Sequence, residues 1–427
     1  VVIRRHSLRR GFLRESGHRD AWAANALTLS TRTLRVSALA STLAMLAGCT
    51  ALDDFVMPLE EPAPAVVDVT PPEERPRLEP LNATTFVLDS PTQSVIGEPQ
   101  IVFTSEENTF SDLAREYGLG YDELVEANPD VDPWLPGEQT PVVLPTQFVL
   151  PDVPREGIVL NIASKRLFYF PVPEEGEPQT VMTYPIGIGR VGWQTPLGSS
   201  AVVSKARDPH WYVPASVRRE HEELGDPLPS VVPPGPENPL GRHVLKLDIP
   251  GYLIHGTNQP YGVGMRVSHG CVRLYPENIE FLYELVGVGE KVTIIDEPYL
   301  VGFKDGHLYF EGHPPLEDDG VSRDMRLVNA LEDVENLASE QDMPFDLDTM
   351  RLAATEARGV PVVLNGGPLE TVSARARVIE NTVVLDPDLP TLAEVREILD
   401  APIEDPAVDD TNPDETDAAD DGGVANE

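Results

Sequence analysis

The stretch Tyr252-Leu-Ile-His-Gly-Thr-Asn-Gln-Pro-Tyr-Gly-Val-Gly-Met-Arg-Val-Ser-His-Gly-Cys-Val-Arg-Leu-Tyr275 gathers several reactive side chains into one short segment. It contains Cys271, one of only two cysteines among 427 residues, and two of the nine histidines, His255 and His269. An apolar run precedes His255, and glycines flank the reactive residues. This pattern is typical of a strand that leads through a loop into a second, tightly turned segment.

Cys271 is predicted to be the nucleophile of an acyl-transfer reaction. A thiol is a weak nucleophile until it becomes a thiolate, and a nearby imidazole is the usual activator. In an extended strand, His269 would lie roughly 6–7 Å from Cys271, which is long for direct proton transfer. His255 lies 16 residues upstream, a spacing that suits a strand, a loop and a return to the same place. We therefore expect His255 to be the base.

The residues next to this pair are predicted to orient it and to bind substrate. The carbonyl of Gly256 is expected to orient the His255 imidazole, which is the role of the third group in a catalytic triad. Gly270 leaves the backbone open, so the N–H groups of Gly270 and Cys271 are expected to form an oxyanion hole. The guanidinium of Arg273 offers a fork for a substrate carboxylate.

The residue types alone leave two other interpretations open. A cysteine near a histidine is often a small buried hydrophobic residue with no chemical role. The set His255, His269 and Cys271 also has donors that zinc accepts. Short motifs do not separate these possibilities by themselves.

The same stretch resembles the signature of the L,D-transpeptidase (YkuD-type) family. That signature is a His-Gly-Thr segment followed by Ser/Thr-His-Gly-Cys-x-Arg, and it stands here as His255–Thr257 and Ser268–Arg273. Further segments that resemble the family lie upstream at residues 157–170, 184–189, 194–198 and 233–241. The resemblance covers residues 157–297, in order and with no motif missing.

The resemblance implies a role for each residue of the signature. It makes Cys271 the nucleophile and His255 the proton donor and acceptor, with Ser268, His269, Gly270 and Arg273 shaping the site. It also implies that carbapenems acylate Cys271. It implies no metal and no organic cofactor. The residues expected to bind substrate are Arg273, Ser268, Tyr252 and Trp211.

The fold class predicted for the whole chain is mixed and mainly β. Within residues 156–297, short β-rich runs between turn signals predict a catalytic domain built as a sandwich or barrel. These runs are 158–162, 167–170, 181–184, 200–204, 244–247, 252–254 and 291–295. A helix is predicted to begin at Pro276, with Ile279, Leu282, Tyr283 and Val286 on one apolar face. The Pro-rich residues 205–241 are predicted to be a long loop in which Trp211 and Tyr212 line the substrate groove, with half-buried packing of these two residues as the alternative.

Residues 99–146 are predicted to be a small βααβ domain. Phe110, Leu113, Ala114 and Tyr117 follow helical spacing, and Gly118 occupies a C-cap position. The order of elements and the segments 126–129 and 143–145 resemble a LysM domain, a family that binds glycans containing N-acetylglucosamine. A purely structural cap on the catalytic domain is the alternative.

The N-terminal residues 1–49 are predicted to be an upstream segment followed by an export signal. A short apolar run over 36–47 follows basic residues and ends in Leu-Ala-Gly-Cys49, which resembles a bacterial lipobox. This predicts lipid attachment at Cys49 and a periplasmic enzyme anchored to the outer membrane of a Gram-negative bacterium; an ordinary signal peptide is the alternative. Residues 50–98 are rich in Pro and Glu and predict an extended linker.

The C-terminal part is predicted to be an α+β appendage over residues 298–400 and a disordered acidic tail over 401–427. Helices are expected over 325–339, 346–357 and 392–399, and a strand over 360–364. From Glu404 to Glu427 the tail has ten acidic residues and no Lys or Arg. The net charge of the chain is −39, which argues against nucleic acid as a partner.

The function predicted from these observations is that of a cysteine acyltransferase, an L,D-transpeptidase of peptidoglycan. It would release a terminal D-amino acid from a tetrapeptide stem and pass the acyl group to an amine on a second stem or on a cell-wall lipoprotein. The predicted partners are thus peptidoglycan stem peptides and glycan, a lipoprotein acceptor, and a membrane through the lipid anchor. A carboxypeptidase or hydrolase of the same fold and a non-catalytic glycan-binding anchor are the alternatives.

Overall fold

A nine-stranded sheet forms the centre of the molecule in the computed structural model, which describes residues 71–81, 83–316, 320–366 and 372–385. Strand and helix bounds are given below in chain order. In the first part they are β1 Thr85–Val87, β2 Val95–Gly97, β3 Gln100–Phe103, α1 Phe110–Glu116, α2 Tyr121–Ala127, β4 Pro141–Leu144 and β5 Gln147–Val149.

The second part holds most of the central sheet. Its elements are β6 Gly157–Asn161, β7 Arg166–Phe170, β8 Thr180–Pro185, β9 Ile188–Gly189, β10 Gly198–Arg207, β11 Trp211–Tyr212, α3 Ala215–Glu223, β12 Val231–Val232, β13 His243–Leu247, β14 Leu253–His255, β15 Arg266–Ser268, β16 Val272–Arg273, α4 Pro276–Leu285 and β17 Lys291–Ile295. Each of the seven predicted strands and the predicted helix is present.

The third part adds a smaller sheet and two longer helices. Its elements are β18 Tyr299–Lys304, β19 His307–Gly312, α5 Arg323–Glu340, α6 Leu347–Glu356, β20 Val362–Val363, α7 Val372–Arg375 and β21 Arg377–Ile379. Two of the three predicted helices correspond to α5 and α6, and β20 lies within the predicted strand. The helix predicted over 392–399 lies outside the described residues.

The central sheet is buried on both faces because its strands are apolar at consecutive positions. Its strand order is β1-β8-β7-β6-β17-β10-β13-β14-β16. Successive side chains of a strand point to opposite faces. In β6, Ile158 and Leu160 belong to the core of the catalytic domain, whereas Val159 belongs to a second core shared with the N-terminal part. The sheet therefore joins two cores.

The N-terminal part packs on that second face through the predicted βααβ unit. Helix α1 begins at a capping box in which the Thr109 hydroxyl and the Asp112 carboxylate each accept a hydrogen bond from the other residue's backbone N–H. It ends before Gly118, whose φ is +66°. Phe110 and Leu113 are fully buried in the shared core, together with Phe168 of β7.

The part of the predicted linker that the structure describes forms strands that pair with the rest of the fold, so the prediction of an extended linker is wrong there. Strand β1 pairs antiparallel with β8 of the central sheet, and β2 pairs with β5. Residues 85–97 therefore contribute two strands that the composition of the segment did not indicate. A Pro- and Glu-rich composition indicates a solvent-exposed segment, but it does not show whether the segment pairs with a strand elsewhere. Each of these strands has only three residues and depends on a partner far along the chain.

The C-terminal part also contributes strands that the sequence did not predict. Strands β18 and β19 form a hairpin around Asp305 and Gly306, both with positive φ. Strand β21 leaves this part and pairs in parallel with β3 of the βααβ unit. The described residues accordingly belong to one compact unit.

A set of buried charges, which we call the charged junction, lies where the three parts meet. It consists of Glu123 and Glu126 on α2, Lys165 and Arg166 at the start of β7, and Glu311 and His313 at the end of β19. Arg166 is 1% exposed, and its Nε and Nη2 donate hydrogen bonds to the Glu123 carboxylate at 2.7 and 2.8 Å. Bidentate pairing of this kind fixes the relative position of two elements.

A second contact of the junction involves a charged histidine. His313 Nε2 lies 2.7 Å from Glu311 Oε1, and its Nδ1 lies 3.8 Å from Glu126 Oε2. Burial alone would lower the pKa of His313, but its two carboxylate neighbours raise the pKa to about 9. His313 therefore carries a proton at neutral pH.

The segment 205–241, predicted to be a long loop, is in fact partly regular. Strands β11 and β12 pair with each other, and helix α3 lies between them. Pro214 stands at the N-cap of α3, and Val217 is the residue that this helix buries. The high proline content favoured the prediction of a loop, but the segment contains a short, strongly polar helix that buries one apolar residue. Within the described ranges, no helix combines the length and the apolar character needed to cross a membrane.

Candidate active site

One face of strands β10, β13, β14 and β16 forms what we call the catalytic floor. The register pairs Val244 with His255, and His255 with Arg273. Directly opposite residues of neighbouring strands project from the same face. The side chains of this row line a cavity of about 780 Å³, which Cys271 also lines. Folding therefore brings together the residues that the sequence placed 16 positions apart.

His255 is held by its neighbours as a neutral base. It is 3% exposed, and its Nδ1 lies 2.6 Å from the carbonyl oxygen of Gly256. Because a carbonyl only accepts, Nδ1 carries the proton, and the lone pair of the neutral ring lies on Nε2. Burial and the nearby Arg273 guanidinium lower the pKa of His255 to about 3. The expected orienting contact to Gly256 is present.

Cys271 is half-buried directly before β16. Its Sγ donates to the carbonyl of Gly251 at 3.6 Å, and burial raises the pKa of the thiol. Two weaker influences lower that pKa, namely a hydrogen bond from the backbone of Leu253 and the charge of Arg273. The resting pair is therefore a neutral thiol and a neutral imidazole rather than a thiolate and an imidazolium.

A tight turn presents the thiol to the cavity. Gly270 has φ of +102°, and a Cβ at this position would lie 3.0 Å from the ring of Tyr252. Both facts require glycine. Ser268 Oγ donates to the Cys271 carbonyl at 2.6 Å, and the Gly270 carbonyl accepts from Thr195 Oγ1 at 2.9 Å. The turn is therefore braced from both sides.

This bracing corrects two expectations. The N–H of Gly270 donates to Ser268 Oγ at 3.1 Å, so it does not point freely toward an oxyanion. Ser268 is 1% exposed, and its hydroxyl serves the turn instead of offering itself to substrate. Sequence position alone placed the Gly270 N–H in the oxyanion hole. In the structure, the hydroxyl of Ser268, two residues earlier, accepts the hydrogen bond from this N–H.

Arg273 supplies an unpaired cation to the floor. Its backbone exchanges two hydrogen bonds with Gly187, at 2.9 and 2.8 Å, which hold it in place. Its Nε is buried without a hydrogen-bond partner, and among the described residues its guanidinium forms no ion pair. A half-buried, uncompensated guanidinium is suited to a carboxylate that arrives with a ligand.

His269 points toward helix α3. Its Nε2 lies 2.8 Å from Glu220 Oε2 and 3.1 Å from Arg190 Nη2, and Arg190 also pairs with Glu220. The ring of Trp193 meets the imidazole edge-on at 4.9 Å between centroids. Burial lowers the pKa of His269, and the hydrogen bond to Glu220 partly opposes this shift. His269 thus connects the catalytic turn to α3.

The two aromatic residues predicted to bind substrate have different positions. Trp211 lines the cavity, next to the exposed Tyr212. Tyr252 packs against Gly270, and its hydroxyl donates to the carbonyl of Gln194 at 3.3 Å, so it supports the turn from outside the cavity lining. Cys49 lies outside the described residues.

Several residues of the site were not predicted from the sequence. Glu220, Arg190 and Trp193 surround His269, but they lie in segments whose only visible signals were proline, glycine and charge. Lys246 also lines the cavity, although a lysine in a strand is ordinarily a solvent-exposed residue and by itself indicates no site. In the described part of the chain, no group of three or more His, Cys, Asp or Glu side chains is arranged to hold a metal ion.

Comparison with known proteins identifies relatives over much of the chain. A family model described as the L,D-transpeptidase catalytic domain matches residues 155–294. The Escherichia coli K12 protein named "Probable L,D-transpeptidase YbiS" is 38% identical over 291 residues, which are 66% of this chain and 93% of that protein. The Salmonella typhimurium protein named "Probable L,D-transpeptidase ErfK/SrfK" is 36% identical over 293 residues, which are 67% of this chain and 92% of that protein.

Among solved structures, the crystal structure of L,D-transpeptidase 3 from Mycobacterium tuberculosis is similar to part of the chain. The sequence identity is 21%, the TM-score is 0.25, and the match covers 36% of this chain and 67% of that one.

Proposed function

This chain belongs to the L,D-transpeptidase family, and on that premise we propose that Cys271 forms a thioester with a peptidoglycan tetrapeptide stem and passes the acyl group to an amine. The observation that carries the proposal is the catalytic floor, where His255 and Cys271 line one cavity beside the unpaired Arg273. A base, a nucleophile and a cation for a carboxylate are the parts that such a reaction needs.

The first half-reaction makes the thioester. Nε2 of His255 takes the proton from Cys271 Sγ as the sulfur attacks the carbonyl carbon, and a C–S bond forms. The tetrahedral oxyanion accepts a hydrogen bond from the Cys271 N–H, because the N–H of Gly270 is engaged. The C–N bond then breaks, and His255 gives its proton to the amine of the departing D-amino acid.

The second half-reaction reverses these roles. The acceptor amine attacks the thioester carbonyl and loses a proton to His255. A new C–N bond forms, the C–S bond breaks, and the proton returns from His255 to Sγ. Both reactants begin neutral, so proton transfer accompanies attack in each half-reaction instead of preceding it.

Arg273 is proposed to hold a carboxylate of the stem. Its charge lowers the pKa of both His255 and Cys271 in the free enzyme. A bound carboxylate would offset that charge and make His255 a stronger base when substrate is present. Substrate binding would thereby prepare the base for its role.

The βααβ unit of residues 99–146 is proposed to bind glycan, as its resemblance to a LysM domain implies. The support is the order β3-α1-α2-β4 and the shared core that joins this unit to the catalytic sheet. Such a connection would hold a bound glycan strand at a set position relative to the active site.

We further propose that Cys49 carries a lipid anchor and that the enzyme works in the periplasm at the outer membrane. The support is the sequence Leu46-Ala-Gly-Cys49 after an apolar run. Lipid-directed mass analysis of the protein from its own membrane tests this, because attachment at Cys49 adds acyl chains that Cys49→Ser would lack.

The test of catalysis is intact-mass analysis of the reaction. The full chain and a Cys271→Ala control are incubated with a tetrapeptide stem and an amine acceptor. Crosslinked product from wild type alone supports transpeptidation, and a carbapenem should add its mass to wild type alone. Tripeptide without crosslink would instead indicate the hydrolase, and no change in either protein would leave the glycan-binding anchor.

A further inference from the structure

The turn between α1 and α2 of the βααβ unit, residues 118–120, touches the loop that separates the proposed base from the proposed nucleophile. Gly120 and Gly264 meet backbone to backbone, and a Cβ added to Gly120 would lie 2.7 Å from the Cα of Gly264. The N–H of Tyr121 donates to the carbonyl of Val263 at 3.3 Å. Backbones approach this closely only where neither residue carries a side chain.

The same turn, which we call the α1–α2 turn, is bonded to two further segments of the catalytic domain. The Leu119 carbonyl accepts a hydrogen bond at 3.1 Å from the hydroxyl of Tyr275, the residue before α4. The Gly118 carbonyl accepts one at 3.2 Å from Nη2 of Arg166, at the start of β7. The turn therefore fixes three separate segments of the catalytic domain relative to one another.

The loop that the turn touches also supports Arg273. The Met265 carbonyl accepts a hydrogen bond from the N–H of Ile188 at 3.0 Å. Gly187, which exchanges two backbone hydrogen bonds with Arg273, lies against the same loop, since a Cβ added to it would be 3.0 Å from the Gly262 carbonyl oxygen and 3.4 Å from Arg273 Cβ. A displacement of this loop would therefore be passed on to Arg273 through backbone contacts.

We propose that the α1–α2 turn is a positioning element of the active site, in which Gly120 sets the place of the loop before β15 and, through that loop, the place of Arg273. The loop also contributes Asn258 and Gln259 to the cavity lining. This role goes beyond glycan binding, because the βααβ unit would serve the chemistry of Cys271 with no glycan bound.

A positioning contact and a purely stabilising contact have different consequences. Loss of a stabilising contact lowers the free energy of unfolding and leaves each folded molecule as reactive as before. Loss of a positioning contact also changes the reactivity of the folded molecules, since a displacement of about 1 Å can cost on the order of 10²-fold in rate. The experiment therefore measures reactivity per folded molecule.

The test variant is Gly120→Ala. The φ of Gly120 is −91°, which alanine adopts without strain, so the substitution acts through the contact with Gly264. Gly287→Ala is the matched control, because φ of Gly287 is not positive and a Cβ there would meet no described atom within 4 Å. Tyr275→Phe is a second, milder variant that removes the hydroxyl bonded to Leu119.

Two properties of each full-length variant are compared with wild type. The first is the rate of Cys271 alkylation by iodoacetamide as a function of pH, with the modified residue located by peptide mass. The second is kcat/KM for release of the D-amino acid from a tetrapeptide stem. Thermal unfolding gives the folded fraction, by which both rates are divided.

Gly120→Ala is expected to shift the alkylation profile to higher pH, because Arg273 lowers the pKa of the Cys271 thiol less when it is displaced. Its kcat/KM should fall on the order of tenfold per folded molecule. Tyr275→Phe should change both properties in the same direction by a smaller amount, and Gly287→Ala should change neither.

An alkylation profile of Gly120→Ala that coincides with the wild-type profile overturns the positioning role, even where thermal stability falls. If Gly120→Ala does not fold, Tyr275→Phe decides by the same criterion. The alkylation profile needs no substrate, so it separates this inference from the proposed function on which its kinetic part rests. Absence of D-amino acid release by wild type would instead count against the proposed function.

Discussion

The charged junction and the catalytic floor both contain buried titratable groups, but they differ in whether the charges have partners inside the protein. In the junction, Arg166 faces Glu123, and His313 faces Glu126 and Glu311. On the floor, Arg273 has no carboxylate partner in the described chain, and His255 is kept neutral. The junction therefore satisfies its charges internally, whereas the floor leaves its charge to be satisfied by a ligand.

Because of this difference, we expect substitutions in the two regions to have different effects. Removing one partner from a buried pair leaves an uncompensated charge, so the cost appears in folding. Removing a group that has no internal partner costs folding little, and the effect appears in chemistry or in ligand binding. The predictions below test this distinction, beginning with the largest effect.

His255→Gln should lower kcat by roughly 10³- to 10⁴-fold, because no acceptor remains for the thiol proton. Release of the D-amino acid measures the loss. The alkylation rate of Cys271 by iodoacetamide should stay close to wild type, since His255 is neutral at rest and does not set the pKa of the thiol. His307→Gln, an exposed histidine of β19, is the control. A large fall in alkylation would show that the resting pair is an ion pair.

Arg166→Met should lower the free energy of unfolding by about 3–5 kcal/mol, because the buried Glu123 carboxylate loses its partner. Urea denaturation followed by circular dichroism measures the change. Arg115→Met is the matched control: its pair with Glu277 is about half exposed, so its loss should cost less than about 1 kcal/mol. Equal effects of the two substitutions would contradict the distinction between paired buried charges and surface ones.

The stability contributed by His313 should depend on pH with a defined sign. Its pKa is raised from 6.5 to about 9 in the folded protein, so its contribution is complete below pH 6.5 and disappears as pH rises through about 9. The loss should be on the order of 3 kcal/mol. Denaturation from pH 6 to 10 measures it, with His313→Gln expected to lack this component. Parallel curves for the two proteins would exclude the proposed charge on His313.

Arg273→Met should change the thiol rather than the fold. The charge of Arg273 lowers the pKa of Cys271, so its removal raises that pKa and leaves less thiolate at a given pH. Alkylation at pH 8 should therefore be several-fold slower than in wild type, while the free energy of unfolding changes little. Alkylation as fast as wild type would show that the guanidinium does not act on the thiol.

The local patterns of the chain were sufficient to predict much of the fold. Short β-rich runs between turn signals predicted the seven strands of the catalytic domain, and helical spacing predicted α1 and α4, because these patterns are properties of contiguous residues. The signature around His255 and Cys271 predicted a base and a nucleophile, which stay predictions, and a contact of His255 with the Gly256 carbonyl, which the structure contains.

Only the tertiary structure decided which short segments become strands and which hydrogen bonds the turn makes. Strands β1, β2 and β21 have three residues each, too few for a readable period, and they exist because distant partners complete them. The same dependence on distant neighbours gives Glu220 its contact with His269 and Lys246 its place in the lining of the cavity. Burial also sets the neutral state of His255. The sequence determined which groups are available, and packing decided their partners and their protons, because electrostatic energies depend on distances and burial that adjacent residues do not specify.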